Sequence, residues 1–275
     1  MRRIAASFAT VAFIVAVLSG DVASAGETHP VATPTPKVMA SAGDSITRAF
    51  NVGWCCVLQD SPSRSWSTGT NGAVNSHYTR LLALDGRLAG QNHNDARSGA
   101  KMRDLAGQLS AAASQRADYL TVLMGANDVC ASDAASMTAT STFESQFRSA
   151  LAQFTASRPQ ARVFVASIPD IEHLWELFRS NPLAVSIWSL FGICQSVLDT
   201  SITDATRQQA VNRLHSFNDI LASVCTEFRQ CRWDGYAVFK TQFAAGDVSS
   251  IDYFHPSTAG QRRLAEVTWA ASYWA

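Results

Sequence analysis

Short apolar runs that close on glycine, separated by longer amphipathic stretches, constrain this chain more than any other feature. Residues 38–42 form one such run ahead of Gly43, and residues 119–124 form another ahead of Gly125. Runs of this length read as strands buried on both faces. Residues 102–116 are helix-like, and residues 143–157 place Phe143, Phe147, Ala150, Leu151 and Phe154 at helical spacing before Pro159 stops them. A strand over residues 162–166 follows. Residues 203–228 read as a long helix capped by Thr203 or Asp204, residues 236–239 as a further short strand, and residues 257–272 as a closing helix behind Pro256. Strands separated by helices of this length imply an α/β fold, a parallel sheet with helices on both faces. In such a sheet the ligand sits beyond the carboxyl ends of the strands.

The first 25 residues stand apart. Arg2 and Arg3 precede an apolar run from Ile4 to Leu18, and Ala23-Ser24-Ala25 presents small residues ahead of Gly26, the pattern of a secretory signal cleaved near Ala25. The run is shorter than the ~20 residues a membrane span requires. Residues 26–37, with His-Pro and Thr-Pro-Thr-Pro, read as an extended linker, which leaves residues 38–275 as one domain. Equal numbers of basic and acidic residues, 22 each, and no Lys/Arg cluster argue against a nucleic-acid partner.

All six cysteines follow the signal and suit an oxidising, extracellular compartment. Cys225 and Cys231 enclose a short loop, Cys130 and Cys194 would join two distant loops, and Cys55 and Cys56 remain as neighbours. Sequence alone leaves all fifteen connectivities open. There is no C-x-x-C pair, which argues against zinc, and no acidic cluster that points to calcium.

Polar residues gather where the strands end. Gly43-Asp44-Ser45 follows the first strand, Gly125-Ala126-Asn127-Asp128 follows the middle one, and Asp252-Tyr253-Phe254-His255 precedes the last helix. A serine hydroxyl becomes a nucleophile when an oriented base takes its proton. Ser45 and His255 are candidates for that pair, with Asp252 as the group that orients the imidazole. The Ser45 N–H, the Gly99 N–H and the Asn127 amide are candidate donors to an oxyanion. The remaining histidines, His29, His77, His93, His173 and His215, read as surface or capped residues.

Four ordered blocks carry a family resemblance: Ala42-Gly43-Asp44-Ser45-Ile46-Thr47, the segment from Asn94 to Gly99, Gly125-Ala126-Asn127-Asp128, and Asp252-Tyr253-Phe254-His255-Pro256. Together they resemble the SGNH, or GDSL, hydrolases over essentially residues 38–275. The resemblance implies a three-layer α/β/α, flavodoxin-like fold with a central parallel sheet of about five strands, and no cofactor. It implies Ser45 as nucleophile, His255 as base, Asp252 as its orienter, and Gly99 and Asn127 as oxyanion donors beside the Ser45 amide. The α/β-hydrolase pattern, G-x-S-x-G deep in the chain, is absent.

Two features lean toward a fatty acyl ester as substrate. Residues 168–198 are crowded with apolar side chains, including Trp175 and Trp188, where a short strand-to-helix connection would suffice. That segment is expected to wall an acyl groove or touch a lipid surface, against the alternative of an ordinary helical insertion locked by Cys194. Trp54, the Ser65-Trp66-Ser67-Thr68-Gly69 run and the Gly-Ala-Asn-Asp-Val-Cys run ending at Cys130 resemble the phospholipase-B-like branch of the family. Trp54, Trp66, Trp175, Trp188 and Phe254 are therefore the expected substrate contacts. Phe50, Trp54 and Trp66 would equally stack on sugar rings, so an acetyl-polysaccharide or short-chain esterase is the alternative, and an acyltransferase or a non-catalytic secreted binding module are the others. The expected form is a monomer meeting an ester or lipid substrate, with transient contact at a lipid surface.

Overall fold

The computed structural model describes residues 33–275; the expected leader and most of the expected linker lie outside the described residues. Five parallel strands form one sheet in the order β2-β1-β3-β4-β5: β1 Met39–Gly43, β2 Asn92–Asn94, β3 Tyr119–Leu123, β4 Arg162–Val165 and β5 Cys231–Trp233. The central strands β1 and β3 are buried at every position, which is why they read as unbroken apolar runs. Their register pairs Met39 with Tyr119 and Gly43 with Leu123, so both strands end level.

Helices cover both faces. On one side lie α1 His77–Leu84 and α9 Thr258–Ala270, bridged by His77, whose ring nitrogens meet the Tyr119 hydroxyl and Thr268 Oγ1, each at 2.9 Å. On the other, α2 Leu105–Ser114, α4 Thr140–Ser157 and α8 Asp204–Thr226 pack side by side. Phe143 of α4 stacks on Phe217 of α8 with ring centroids 4.0 Å apart. The short α3 Ala126–Val129 follows β3.

Three elements depart from the sequence expectation. Residues 236–239 form no strand. The Asp234 carboxylate accepts the backbone N–H groups of Tyr236 and Val238 at 2.9 and 3.1 Å, which folds the segment into a turn. The edge strand is instead Cys231–Trp233, fastened to the end of α8 by a Cys225–Cys231 disulfide. The other edge strand, Asn92–Asn94, is polar and half-buried, so it carries no apolar run for a sequence reading to find. His77 is not at the surface: it is fully buried, both ring nitrogens are hydrogen-bonded, and burial with the nearby Arg80 holds its imidazole neutral, down to about 3.

The apolar segment after β4 folds as three helices, α5 Ile171–Phe178, α6 Pro182–Phe191 and α7 Gln195–Leu198. Asp170 and Asn181 cap the first two through their side chains. A Cys130–Cys194 disulfide and the Ser196 hydroxyl, which donates to Val129 O at 2.7 Å, tie this insertion to the loop after α3. The third bridge joins Cys55 to Cys56, leaving no free cysteine among the described residues. Among those residues no helix is long and apolar enough to cross a membrane.

The Cys130–Cys194 bridge closes a loop of 64 positions, so its loss frees much chain entropy in the unfolded state. The double variant Cys130→Ser/Cys194→Ser is expected to lose about 2–4 kcal/mol of stability in denaturant titration. An unchanged midpoint and slope under oxidising conditions would contradict that.

Candidate active site

The β1 exit places Ser45 where three loops meet. Gly43 admits the turn because a Cβ there would lie 2.5 Å from Leu123 O on the neighbouring strand. Two glutamines hold the turn on either side of the serine. The Gly43 N–H donates to Gln108 Oε1 at 2.7 Å while Gln108 Nε2 donates to Gly43 O at 3.0 Å. Gln261 Nε2 donates to Ile46 O at 2.7 Å, and its Oε1 accepts the Trp66 N–H at 2.8 Å.

Ser45 Oγ lies 2.8 Å from His255 Nε2, although the two are 210 positions apart. His255 Nδ1 lies 2.7 Å from Asp252 Oδ2. A carboxylate only accepts, so Nδ1 carries the proton and Nε2 is free to take one from Ser45. Asp252 is itself fixed: Oδ1 accepts the N–H groups of Phe254 and His255, both at 3.0 Å, and Oδ2 also accepts from Asn51 Nδ2 at 2.6 Å. Burial works to raise the Asp252 carboxyl, but the hydrogen bonds and charge of His255 and the Asn51 amide outweigh it, and it sits below the usual carboxylate range. The carboxylate is thus an anion near neutral pH, suited to stabilising an imidazolium.

The expected oxyanion donors converge on the same edge. Gly99 adopts φ +79°, open to glycine at no steric cost, and is exposed. Among the described residues neither the Ser45 nor the Gly99 N–H has a protein acceptor. Asn127, at the start of α3, spends one amide N–H on Ala100 O at 3.0 Å and keeps the other. Asp128 accepts the Met102 N–H at 2.9 Å through Oδ2. Adjacent residues of α3 therefore pin the turn that carries Gly99.

Two apolar recesses adjoin this cluster. The narrower, about 60 Å³, runs among Ile46, Ile171, Leu174, Leu177, Phe254 and Leu264. The wider, about 390 Å³, lies among Phe50, Trp54, Leu58, Ile187, Phe191 and Ile251, with Asp252 and His255 in its wall.

The expected aromatic contacts divide accordingly. Phe254 lines the narrow recess and Trp54 the wide one. Trp66 does not reach ligand space: it is fully buried, its indole N–H on Thr47 Oγ1 at 3.3 Å, and its neighbours Ser67 and Thr68 bond to Thr121 and Ser41 in the sheet. Trp188 is also core, donating to Tyr253 O at 3.2 Å. Trp175 lies under the Arg207 guanidinium, 3.8 Å from its ring, and lines neither recess. His173, expected to be a surface or capped residue, lines the narrow recess with Nε2 capped on Phe243 O at 2.9 Å.

Sequence comparison decides the family. The model of the GDSL-like lipase/acylhydrolase family matches residues 41–263, a stretch that contains all of the loops just described. The chain belongs to this family. No curated protein matches it. Solved structures of similar fold include TesA, 17% identical with TM-score 0.52 over 85% of this chain and 97% of TesA. An enzyme from the metagenome of Lake Arreo, LAE5, is 17% identical with TM-score 0.53 over 85% of this chain and 93% of its own. Phospholipase A1 of Streptomyces albidoflavus is 16% identical with TM-score 0.50 over 85% of this chain and 98% of its own. At these identities the likeness bears on the fold, which this GDSL-family chain shares with them.

Asp44, beside the candidate nucleophile, was not singled out by its sequence context. It is fully buried; Oδ1 accepts the Ile46 N–H at 2.9 Å and Oδ2 has no partner among the described residues. Burial pushes its carboxyl up to about 7, opposed by the Ile46 N–H and the His255 charge and reinforced by Asp128. The folded state then holds this proton more tightly than the unfolded chain. Its contribution to stability is complete below the ordinary value of 3.8 and is lost as pH rises through 7. Between about pH 5 and about pH 8 the native protein is expected to lose melting temperature relative to Asp44→Asn, whose amide does not titrate. Parallel profiles would mean that Asp44 is ionised throughout.

Proposed function

We propose that this GDSL-family protein is a secreted serine hydrolase of fatty acyl esters, of lipase or phospholipase type, working through an acyl-enzyme. The observation that carries the reading is the unbroken line Ser45–His255–Asp252 beside a narrow apolar recess. That recess is bounded by the sequence neighbours of three participants: Ile46 next to Ser45, Ala126 next to Asn127, and Phe254 and Pro256 on either side of His255. An acyl chain in it presents its carbonyl to Ser45. The polar side chains in its wall are few, and each already has a partner: Asp170 caps α5, Asp247 accepts the Ala244 N–H at 3.0 Å and His173 Nε2 lies 2.9 Å from Phe243 O. The remaining lining is apolar, which favours an acyl chain over a sugar.

In this mechanism His255 Nε2 takes the Ser45 proton as Oγ attacks the ester carbonyl. The charge that develops on the carbonyl oxygen is met by the N–H groups of Ser45 and Gly99 and the free amide N–H of Asn127, held in place before the reaction begins. Protonated His255, stabilised by Asp252, passes its proton to the leaving alcohol. Water, deprotonated by the same nitrogen, then releases the fatty acid and restores Ser45. Export is supported by the leader-like N-terminus and by the three disulfides.

Initial rates on p-nitrophenyl esters from acetyl to palmitoyl test the reading. Longer chains are expected to give higher kcat/KM, and Ser45→Ala to abolish turnover with an almost unchanged melting temperature. Activity confined to acetyl and butyryl esters would replace the fatty acyl reading with a short-chain or carbohydrate esterase. Asn127→Ala is expected to lower kcat about 10²–10³-fold. A change in KM alone would make Asn127 a substrate-positioning residue.

A further inference from the structure

The wide recess is unused by a mechanism that needs one acyl chain, yet it opens on the same imidazole. Phe50 and Phe254 both pack edge-on against His255, with centroids 5.1 and 5.0 Å away, and each lines a different recess. The two recesses share no lining residue, so one ligand group does not fill both. Apart from Asp252 and His255, whose polar atoms serve the proton relay, the wide recess contains no charged residue. The segments that build it, residues 49–59 and 180–198, contain no Asp, Glu, Lys or Arg. Trp54, Leu58 and Phe191 stand 78%, 67% and 64% exposed around its mouth. Clustered exposed apolar side chains of this kind mark a binding surface rather than a folding requirement.

We infer that the wide recess is a subsite for a second hydrocarbon chain of the same ester molecule, and hence that the preferred substrates are two-chain lipids. This rests on the fatty acyl reading above. Three observations choose this occupant. The recess has His255 in its wall, and the other side of that imidazole lies 2.8 Å from Ser45 Oγ, so a chain that fills it while the ester carbonyl sits at Ser45 belongs to the same small molecule. Its wall is apolar apart from Asn51, Asp252, His255 and the Trp54 indole N–H, and Asn51, Asp252 and His255 are bonded to one another, which suits a methylene chain better than a sugar or a phosphate. Its breadth and open rim tolerate a loosely held chain, whereas the narrow recess suits the acyl chain whose carbonyl must be positioned for attack.

The test uses monomeric lipids below their micelle concentration: dihexanoyl phosphatidylcholine against 1-hexanoyl lysophosphatidylcholine, which share headgroup and cleavable chain. The wild-type ratio of kcat/KM, two-chain over one-chain, is expected to exceed about 10, since each extra buried methylene contributes selectivity. Phe191→Asp and, separately, Trp54→Ser are expected to lower that ratio about tenfold, while Leu84→Asp, an exposed apolar position on α1, leaves it unmoved. Melting temperatures check that each variant is folded. An equal ratio for wild type and both recess variants would overturn the subsite. So would recess variants that keep the wild-type ratio on monomers but lose activity when dihexanoyl phosphatidylcholine is raised above its micelle concentration, which would assign the exposed rim to a lipid surface instead. If wild type cleaves neither lipid but still cleaves p-nitrophenyl acetate through Ser45, it is the fatty acyl reading that has failed, and the subsite falls with it.

Discussion

Because every strand of the sheet runs the same way, every strand exit opens on one edge, and the rest of the site depends on that. Ser45 leaves β1, the Gly99 turn follows β2, and Asn127 follows β3, so the candidate nucleophile and the candidate oxyanion donors are neighbours by topology. His255 reaches the same edge from the loop ahead of α9. The link is reinforced by Gln261, which sits on α9 and bonds to Ile46 O beside the serine. One helix thus sets both the candidate base, through the loop before it, and the candidate nucleophile, through its own side chain. Such rigidity suits a reaction whose electrostatic stabilisation must be in place before charge develops.

The insertion after β4 is fastened to this frame instead of hanging from it. Cys194 and Ser196 hold it to Cys130 and Val129, directly after the α3 turn that carries Asn127. The wall of the narrow recess and one candidate oxyanion donor are therefore parts of a single tied unit. Under the proposed function this couples substrate fit to transition-state stabilisation: a change that loosens α5 against α3 would disturb both the depth of the proposed acyl chain and the aim of the Asn127 amide.

Much of this was legible in the sequence. Buried parallel strands such as β1 and β3 must be continuous apolar runs, and the Ser45, Asn127 and His255 segments stand out because polar residues interrupt the pattern at strand ends. What stayed hidden has a common physical cause. The edge strands β2 and β5 are short and half-exposed, so no apolar run marks them. Residues 236–239 look like a strand until Asp234 captures their N–H groups. Trp66 and Trp188 read as ligand contacts because a tryptophan's burial depends on what packs around it. Asn51, Gln108 and Gln261 act through side-chain hydrogen bonds to Asp252, Gly43 and Ile46, which are 201, 65 and 215 positions away, and such contacts leave no periodic trace. Asp44 is unusual only because it is buried with one oxygen unpaired.

The central claim is that Ser45, activated through His255 and Asp252, becomes covalently acylated. Intact-protein mass spectrometry after incubation with a fluorophosphonate tests it most directly, because the probe reacts with an activated serine whatever the natural ester is. The account predicts a single phosphonyl adduct, mapped by peptide sequencing to Ser45 and absent from Ser45→Ala. A folded wild-type protein that takes up no probe, or an adduct that persists in Ser45→Ala, would contradict it.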